Sequence, residues 1–375
     1  MNSTIRVGSA DELGVSPEDA RLFFEAHWKR RIALAIEPFY QWQFKAAPEN
    51  KGRDHCCVAV DPDGSLLGIM GLNDRPFWLN GKLRAGAELT TWVVDEKARG
   101  RGVGKSIMAF LQARYEVLAG MGITDAALPI YLSNGFEFLP SIPRFVRVFD
   151  AEAIAPYAKI EKIGEGLIDQ YKDTARFPYK VRQEPFSVLA AHINGFERSF
   201  NFFSRDAAHL EWRYGHHPVF SYQGFFVQGG GKGAVVILRA DTVGEMKIIH
   251  VVDFLGDGAD FPAAVTFIDD YCRDNNVSVS DFYCVSQTVS RHFRGAGWFS
   301  ILEDSFFQFI HLFHPPEMRS PPTTSLVVWA RDEMQGLRDM ENLYIAKGDM
   351  DLDRPTADTY EKYRENDMRN EGEGF

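Results

Sequence analysis

A short run of glycines and basic residues carries the clearest chemical signal in this sequence. The glycines are Gly100, Gly102 and Gly104, and the basic residues are Lys97, Arg99, Arg101 and Lys105. A predicted strand, 87–94, leads into the run and a predicted helix, 105–118, follows it. Unpaired N–H groups and the positive end of the helix dipole make such a helix N-terminus an anion site. The run therefore predicts a phosphate or pyrophosphate ligand.

The spacing of the glycines distinguishes between the known classes of phosphate-binding loop. A nucleoside-triphosphate loop needs Gly at position 99, where this sequence has Arg99. The dinucleotide fingerprint fails as well, because the glycines follow at every second position and none stands at 105. The pattern Arg99-x-x-Gly102-x-Gly104 fits instead and resembles the acyl-CoA pyrophosphate loop of the GNAT superfamily of N-acyltransferases. A solvated Gly/Arg turn is the alternative interpretation.

The resemblance implies that acyl-CoA is the co-substrate and that the strand end and the loop bind it. The residues assigned to this contact are Val93, Val94, Arg99, Gly100, Arg101, Gly102, Val103, Gly104 and Lys105.

A second motif follows at the distance that the superfamily uses. Tyr131-x-x-x-Gly135-Phe136 resembles the end of the helix after the cofactor strand. We expect Gly135 to end that helix in the left-handed conformation and Phe136 to enter the core. Only 121–124 remains for the strand between the two helices, which is shorter than the superfamily usually has.

Acyl transfer to an amine requires a proton acceptor, a stabilised oxyanion and a proton donor for the departing thiolate. The resemblance makes Tyr131 the candidate acid, and packing is its alternative role. Glu88 is the candidate base, because it lies on the predicted strand six residues before Val94 and so on the same face. A solvated carboxylate is the alternative role for Glu88, and His27 and His55 are weaker candidates for the base. The oxyanion donor would be a backbone N–H near Val93 or Val94.

The order of predicted elements divides the chain. A helix, an antiparallel meander, the Gly-rich loop and its helix give a GNAT domain over residues 1–150. The second half repeats this order, with predicted strands 222–228, 233–239, 245–254 and 280–285 and a predicted helix 262–275. Gly297-Trp298 takes the place of Gly135-Phe136. We therefore expect an α/β (α+β) protein of tandem GNAT folds, each a mixed, mostly antiparallel sheet flanked by helices.

The second domain, 151–357, is predicted to be degenerate. Its loop, 253–260, is acidic where the first is basic, so it would repel phosphate. We expect this half to shape the acceptor site. Residues 358–375 are predicted to be a flexible acidic tail.

Two further stretches resemble a subset of two-domain GNAT proteins associated with polysaccharide biosynthesis, some of which acylate nucleotide-linked amino sugars. These are 205–214 and 343–355. The first supplies the candidate acceptor residues Arg205, Trp212, Arg213 and Tyr214, for which interdomain packing is the alternative role. The triplet Asp349, Asp351 and Asp353 begins like a calcium loop, but Arg354 replaces its glycine, so no metal is expected.

Composition sets outer limits. The chain has 375 residues and a net charge of −11, which opposes nucleic-acid binding. No apolar run approaches the ~20 residues that span a bilayer. Four cysteines without metal-ligand spacing favour a reducing compartment, so we expect a cytoplasmic protein. We also expect a monomer or homodimer without membrane association.

The sequence thus predicts an acyl-CoA-dependent N-acyltransferase whose acceptor is a small amine, with a nucleotide-linked amino sugar favoured. One alternative is a GNAT enzyme for another amine, such as an antibiotic, an amino acid or a peptide. The other is a non-catalytic acyl-CoA-binding protein.

Overall fold

A computed structural model describes residues 5–313, 316–317, 323–349 and 353–372. The strands in these residues are β1 Arg6–Ser9, β2 Cys57–Val60, β3 Leu66–Asp74, β4 Phe77–Leu79, β5 Lys82–Arg84, β6 Gly86–Val94, β7 Val117–Met121, β8 Glu137–Leu139, β9 Arg144–Val148, β10 Ala158–Ile160, β11 Lys180–Gln183, β12 Phe202–Phe203, β13 Tyr222–Gln228, β14 Ala234–Val243, β15 Met246–Gly256, β16 Val279–Tyr283, β17 Phe299–Ser300, β18 Phe307–Phe309 and β19 Leu326–Ala330.

The α-helices in the same residues are α1 Ala10–Leu13, α2 Pro17–His27, α3 Glu37–Tyr40, α4 Val103–Arg114, α5 Leu128–Ser133, α6 Ala151–Ile154, α7 Lys162–Gln170, α8 Phe186–Leu189, α9 Ala207–Leu210, α10 Phe261–Asp274, α11 Gln287–Gly295, α12 Met334–Arg338 and α13 Ala357–Gly372. Every helix in the described residues is too short or too polar to span a bilayer.

Two large sheets organise these elements. The first has the strand order β1-β2-β3-β6-β7-β19-β8 and the second β11-β13-β14-β15-β16-β9-β17. Each contains one parallel pair, β6 with β7 and β15 with β16, and the other neighbours run antiparallel. Helix α4 packs on the first sheet and α10 on the second. The predicted fold class, mixed sheets flanked by helices, is confirmed.

The two sheets exchange a strand. β9, from the end of the first half, lies between β16 and β17 of the second sheet. β19, from the second half, lies between β7 and β8 of the first sheet. The predicted ranges 1–150 and 151–357 therefore do not coincide with the two sheets. Each sheet is completed by a strand from the other half.

The two halves also meet through a repeated local structure. A short helix followed by a π-helical turn occurs as α3 with Gln41–Lys45 and as α9 with Glu211–Gly215. The rings of Trp42 and Trp212 stack at 5.1 Å between centroids. Trp42 Nε1 donates to the Trp212 carbonyl at 3.2 Å, and Trp212 Nε1 donates to the Trp42 carbonyl at 2.9 Å. This reciprocal contact relates two equivalent segments and supports the tandem arrangement.

Two predictions need correction. Helix α4 ends at Arg114, and the strand that follows it is Val117–Met121 rather than 121–124, so it is not unusually short. The predicted tail also contains regular structure, because residues 358–372 belong to α13. Tyr360 packs edge-on against Phe39 at 6.1 Å, and Arg31 pairs with a carboxylate of α13, Glu361, at 2.6 Å. Residues 373–375 lie outside the described residues.

Candidate acyl-CoA site

A gap between two parallel strands forms the centre of the candidate site. β6 and β7 pair only from Gly86 with Val117 to Leu89 with Gly120. Beyond this point no further β6–β7 pairs occur in the described residues, and β6 runs on for five residues to Val94. From Thr90 to Val94 the edge of β6 that faces β7 therefore has no strand partner among the described residues, and this gap leads to the Gly-rich loop.

A β-bulge marks the place where the gap begins. The register between β3 and β6 shifts between Met70 with Trp92 and Leu72 with Leu89, so Thr90 and Thr91 both oppose Gly71. A Cβ at Gly71 would collide with Thr90 Oγ1 and would lie 2.7 Å from the Phe44 ring. The bulge re-aims the second half of β6.

Every second backbone N–H group of β6 points towards the gap. The Asp95 N–H donates to the Leu67 carbonyl of β3 at 2.9 Å. Because successive N–H groups of a strand point to opposite edges, those of Val94 and Trp92 face away from β3 and towards the gap. Val93 faces the other way, and its side chain is buried in the core. Val94 is thus the better placed of the two predicted backbone donors.

The Gly-rich loop joins β6 to α4. Asp95 caps the 3-10 turn Glu96–Ala98, accepting from the Lys97 N–H at 2.9 Å. Gly102 then adopts φ +84°, which favours glycine, and α4 begins at Val103. The first helical bond joins the Ser106 N–H to the Gly102 carbonyl. The N–H groups of residues 103–105 precede that bond, so they are available to an anion.

Four basic side chains surround this helix start, and all four are exposed. They are Lys97, Arg99, Arg101 and Lys105. Arg99 lies 3.4 Å from Glu96, an exposed pair that water and salt screen. The loop thus combines backbone donors with exposed positive charge at one end of the gap, two features that suit pyrophosphate binding.

The glycines of the loop differ in what constrains them. A Cβ at Gly100 or Gly102 would meet nothing within 4 Å, so backbone conformation is the constraint at these positions. A Cβ at Gly104 would lie 2.8 Å from Ile130 Cδ1 and 3.1 Å from the Trp92 ring. Gly104 therefore keeps α4 close to the mouth of the gap.

Tyr131 lies in an aromatic cluster beside this mouth. It is 2% exposed and packs edge-on against Trp92 at 5.4 Å and against Phe136 at 5.0 Å. Gly135 has φ +79°, which confirms the predicted helix ending. The Trp92 Nε1 donor is buried, without a hydrogen-bond partner among the described residues. A ligand in the gap would thus meet an indole N–H close to Tyr131.

Glu88 is buried rather than solvated. It lies on β6 between β3 and β7, is 1% exposed and forms an ion pair with Arg75. Arg75 Nη1 also lies 3.3 Å from Asp349 Oδ1, and Arg205 Nη2 lies 2.9 Å from the same oxygen. A chain of alternating charges therefore joins Glu88 to the second half of the molecule.

The four candidate acceptor residues lie at the interface between the halves. Arg205 Nε pairs with Asp253 Oδ2 at 2.6 Å, and Tyr214 Oη donates to the same oxygen at 2.7 Å. Arg213 Nε donates to the Gly348 carbonyl at 3.3 Å, and Trp212 stacks on Trp42 as described. All four are at least 94% buried. The geometry matches the packing alternative for Arg205, Arg213 and Tyr214.

Sequence reasoning missed three residues of this interface. Asn73 lies near the end of β3 and Arg75 directly follows this strand, in a stretch without any motif. His209 lies inside the 205–214 stretch, where only its neighbours were predicted to bind the acceptor. The only sequence signal was the repeat itself, because 39–44 and 209–214 share an aromatic pattern around Trp42 and Trp212.

Comparisons with known proteins agree with this geometry. Residues 20–134 match the model of the acetyltransferase (GNAT) family, and no curated protein sequence matches the chain. Solved structures share the fold at low identity. A GCN5-related N-acetyltransferase from Anabaena variabilis has 9% identity, covers 86% of this chain and 72% of its own, and gives a TM-score of 0.52.

Two other structures are similar. A GCN5-related N-acetyltransferase from Kribbella flavida has 16% identity, coverage of 88% and 72%, and a TM-score of 0.50. A probable N-acyltransferase from Enterococcus faecalis has 11% identity, coverage of 86% and 72%, and a TM-score of 0.53. These likenesses show the fold, and the family match lies on the half that carries the loop and the gap. Residues 20–134 therefore match the acetyltransferase (GNAT) family, and the chain shares its fold with these N-acetyltransferase structures.

Proposed function

We propose that the chain transfers an acyl group from one acyl-CoA, bound in the first half, to the primary amine of a small acceptor. The observation that carries this proposal is the gap between β6 and β7, which opens onto the basic loop at the start of α4. The pyrophosphate would bind the N–H groups of residues 103–105, and Val94 would pair with the pantetheine arm.

The proposed reaction uses the two substrates, side chains of this protein and water. The ammonium of the acceptor loses a proton, and its nitrogen attacks the thioester carbonyl. The new C–N bond forms, the C–S bond breaks and the nitrogen loses a second proton. The thiolate takes up a proton, which gives an amide and CoA thiol. In this proposal Tyr131 donates that proton, and Glu88 accepts one from the amine through water.

The nature of the acceptor follows in part from the buried arginines. The sequence resemblance favours a nucleotide-linked amino sugar, with Arg205 and Arg213 as phosphate partners. Arg205 is enclosed by Asp253 and Asp349, and Arg213 is 3% exposed. Our proposal therefore retains an amino sugar as the acceptor and assigns no phosphate contact to these two residues.

The test is release of CoA thiol from a panel of acyl-CoAs and amines. The amines are nucleotide-linked amino sugars, the corresponding free amino sugars, amino acids and an amine-bearing antibiotic. Amine-dependent thiol release is expected, with an amide product detected by mass spectrometry. Tight acyl-CoA binding without turnover on any amine would favour the non-catalytic alternative.

Calorimetry tests the assignment of one site per chain. We expect a stoichiometry near one CoA per chain. Two would show that the second half binds the cofactor as well.

A further inference from the structure

A small cavity lies where the two halves meet, on the face of the first sheet opposite to α4. Its walls include Asn73 and Arg75 at the end of β3, and His209 and Trp212 of the second half. Leu72, the neighbour of Asn73, packs with the α4 core, so Asn73 points to the other face. The space admits about one water-sized group.

Three polar atoms of these walls are unsatisfied. Asn73 Nδ2, Arg75 Nε and His209 Nε2 are buried, and no residue that the structure describes forms a hydrogen bond with them. The residues are 2%, 3% and 6% exposed. Unpaired buried polar atoms are costly, and three around one cavity indicate that a polar group completes them.

The chemistry of the three atoms specifies that group. Asn73 Nδ2 and Arg75 Nε can only donate. Burial and the nearby Arg75, Arg205 and Arg213 lower the pKa of His209 well below its usual value, so its imidazole is neutral. In the tautomer that carries the proton on Nδ1, Nε2 accepts a hydrogen bond. An oxygen that accepts two hydrogen bonds and donates one satisfies all three. A hydroxyl group has this capacity.

The mouth of the cavity is acidic. Glu49 and Asp206 both border it, and Asp206 is exposed. The positive charge of Arg75 is balanced by Glu88 and Asp349. The field at the mouth therefore favours a cation over a phosphate.

We propose that this cavity seats a hydroxyl group of the acceptor, which is a hydroxylated cationic amine whose ammonium lies near the acidic mouth. The inference rests on the proposed acyl transfer and specifies its acceptor. Arg75 joins the two functions, because the guanidinium that lines the cavity also holds Glu88. An amino alcohol or an unphosphorylated amino sugar has the required groups.

The first experiment uses the wild-type chain and amines that differ by one hydroxyl. 2-Aminoethanol is compared with ethylamine, and glucosamine with cyclohexylamine carrying no hydroxyl, at saturating acyl-CoA. We expect kcat/KM to be at least about 10-fold higher for the hydroxylated member of each pair. Equal values would mean that water alone fills the cavity and would overturn the inference. Absence of transfer to every amine would instead contradict the proposed function.

The second experiment removes the wall atoms. In His209→Phe and Asn73→Leu, the ratio of kcat/KM for the hydroxylated amine to kcat/KM for its partner without the hydroxyl should fall towards 1. His209→Gln, which retains a polar group, should keep part of the preference. The control is His192→Phe, because His192 pairs with Glu184 in the second half. If these residues had only a structural role, their substitution would lower kcat/KM equally for both amines of a pair. An unchanged ratio of the two kcat/KM values in folded variants would therefore refute the proposal. If the variants do not fold, the substrate pairs decide.

Discussion

The molecule contains two equivalent strand gaps, and they are filled differently. In the second sheet, β15 and β16 pair only up to Val251 with Phe282. The segment 344–348 then enters: the Gly348 N–H donates to the Val252 carbonyl at 2.9 Å, and Ala346 bridges to Cys284. The gap of the first sheet instead opens onto a loop of glycines and basic residues. In the second sheet a piece of the chain itself enters the strand divergence, and in the first sheet we propose that the divergence holds a ligand.

Helices α4 and α10, which follow the first and the second gap, also begin differently. α4 follows a four-residue loop, 99–102, whereas α10 begins at Phe261 directly after the turn Gly258–Asp260. Pro262 removes a donor from the start of α10. The Asp260 carboxylate already accepts from the backbone N–H groups of Gly229, Gly231 and Gly233, at 2.5 to 3.0 Å. This difference supports our proposal of one acyl-CoA per chain.

Among the differences between the two halves, we expect the largest effect on activity at Tyr131. The equivalent position before Gly297 is Phe293, which has no hydroxyl. If Tyr131 protonates the thiolate, Tyr131→Phe should lower kcat by about 10²–10⁴-fold with little change in acyl-CoA affinity. Steady-state kinetics and calorimetry measure both, and Tyr179→Phe is the control. Full turnover in Tyr131→Phe would return Tyr131 to packing.

The stacked tryptophans test the equivalence of the halves. Trp42→Ala and Trp212→Ala should each lower the free energy of unfolding by about 3–5 kcal/mol, because each removes a buried ring and a reciprocal hydrogen bond. The double variant should cost less than the sum. Denaturant titration measures all three values. Strict additivity would show that the two rings do not depend on each other.

Gly104 tests the loop of the first half. Gly104→Val places atoms against Ile130 and Trp92 and should raise the acyl-CoA Kd by about 10- to 100-fold. Gly166→Val is the matched control, because a Cβ at this helical glycine meets nothing within 4 Å. Unchanged affinity in a folded Gly104→Val protein would contradict the assignment of the loop.

The smallest expected effect concerns Glu88. Its counterpart by strand register is His250, since Glu88 pairs with Ala119 of β7 and His250 with Asp281 of β16. Glu88→Gln should lower kcat/KM about 10-fold at neutral pH. The defect should shrink as the pH approaches the pKa of the amine, which then deprotonates unaided. A pH–rate profile checks this, and a defect that does not vary with pH would leave Glu88 only its pairing with Arg75.

Local sequence predicted the parts of the site that local structure forms. The loop around Gly102 and the helix end at Gly135 depend on backbone conformations that neighbouring residues specify. The strand exchange was not predictable, because β9 and β19 are each only five residues long and carry no local pattern that assigns them to one sheet. Their position depends on pairings between distant parts of the chain.

The buried ion pairs could not be predicted either, because they also join distant parts of the chain. Asp349 pairs with Arg75 and Arg205, which lie more than 140 residues away in sequence. From sequence alone, an acidic triplet near a chain end is equally compatible with solvent, metal or ion pairs. Only the packing of the two halves distinguishes these outcomes. In the folded chain Asp349 is buried against Arg75 and Arg205, and Asp353 is buried against Arg239.

The exchanged strand has a consequence for synthesis of the chain. β7, which borders the acyl-CoA gap, pairs on its far edge with β19. A ribosome that has made the loop, both helices and β8 must add nearly two hundred further residues before Leu326–Ala330 emerges. Until then β7 exposes an unpaired edge, a state prone to association with other chains. The first half should therefore acquire its cofactor site only near the end of translation, and chaperone demand should be greatest in that interval.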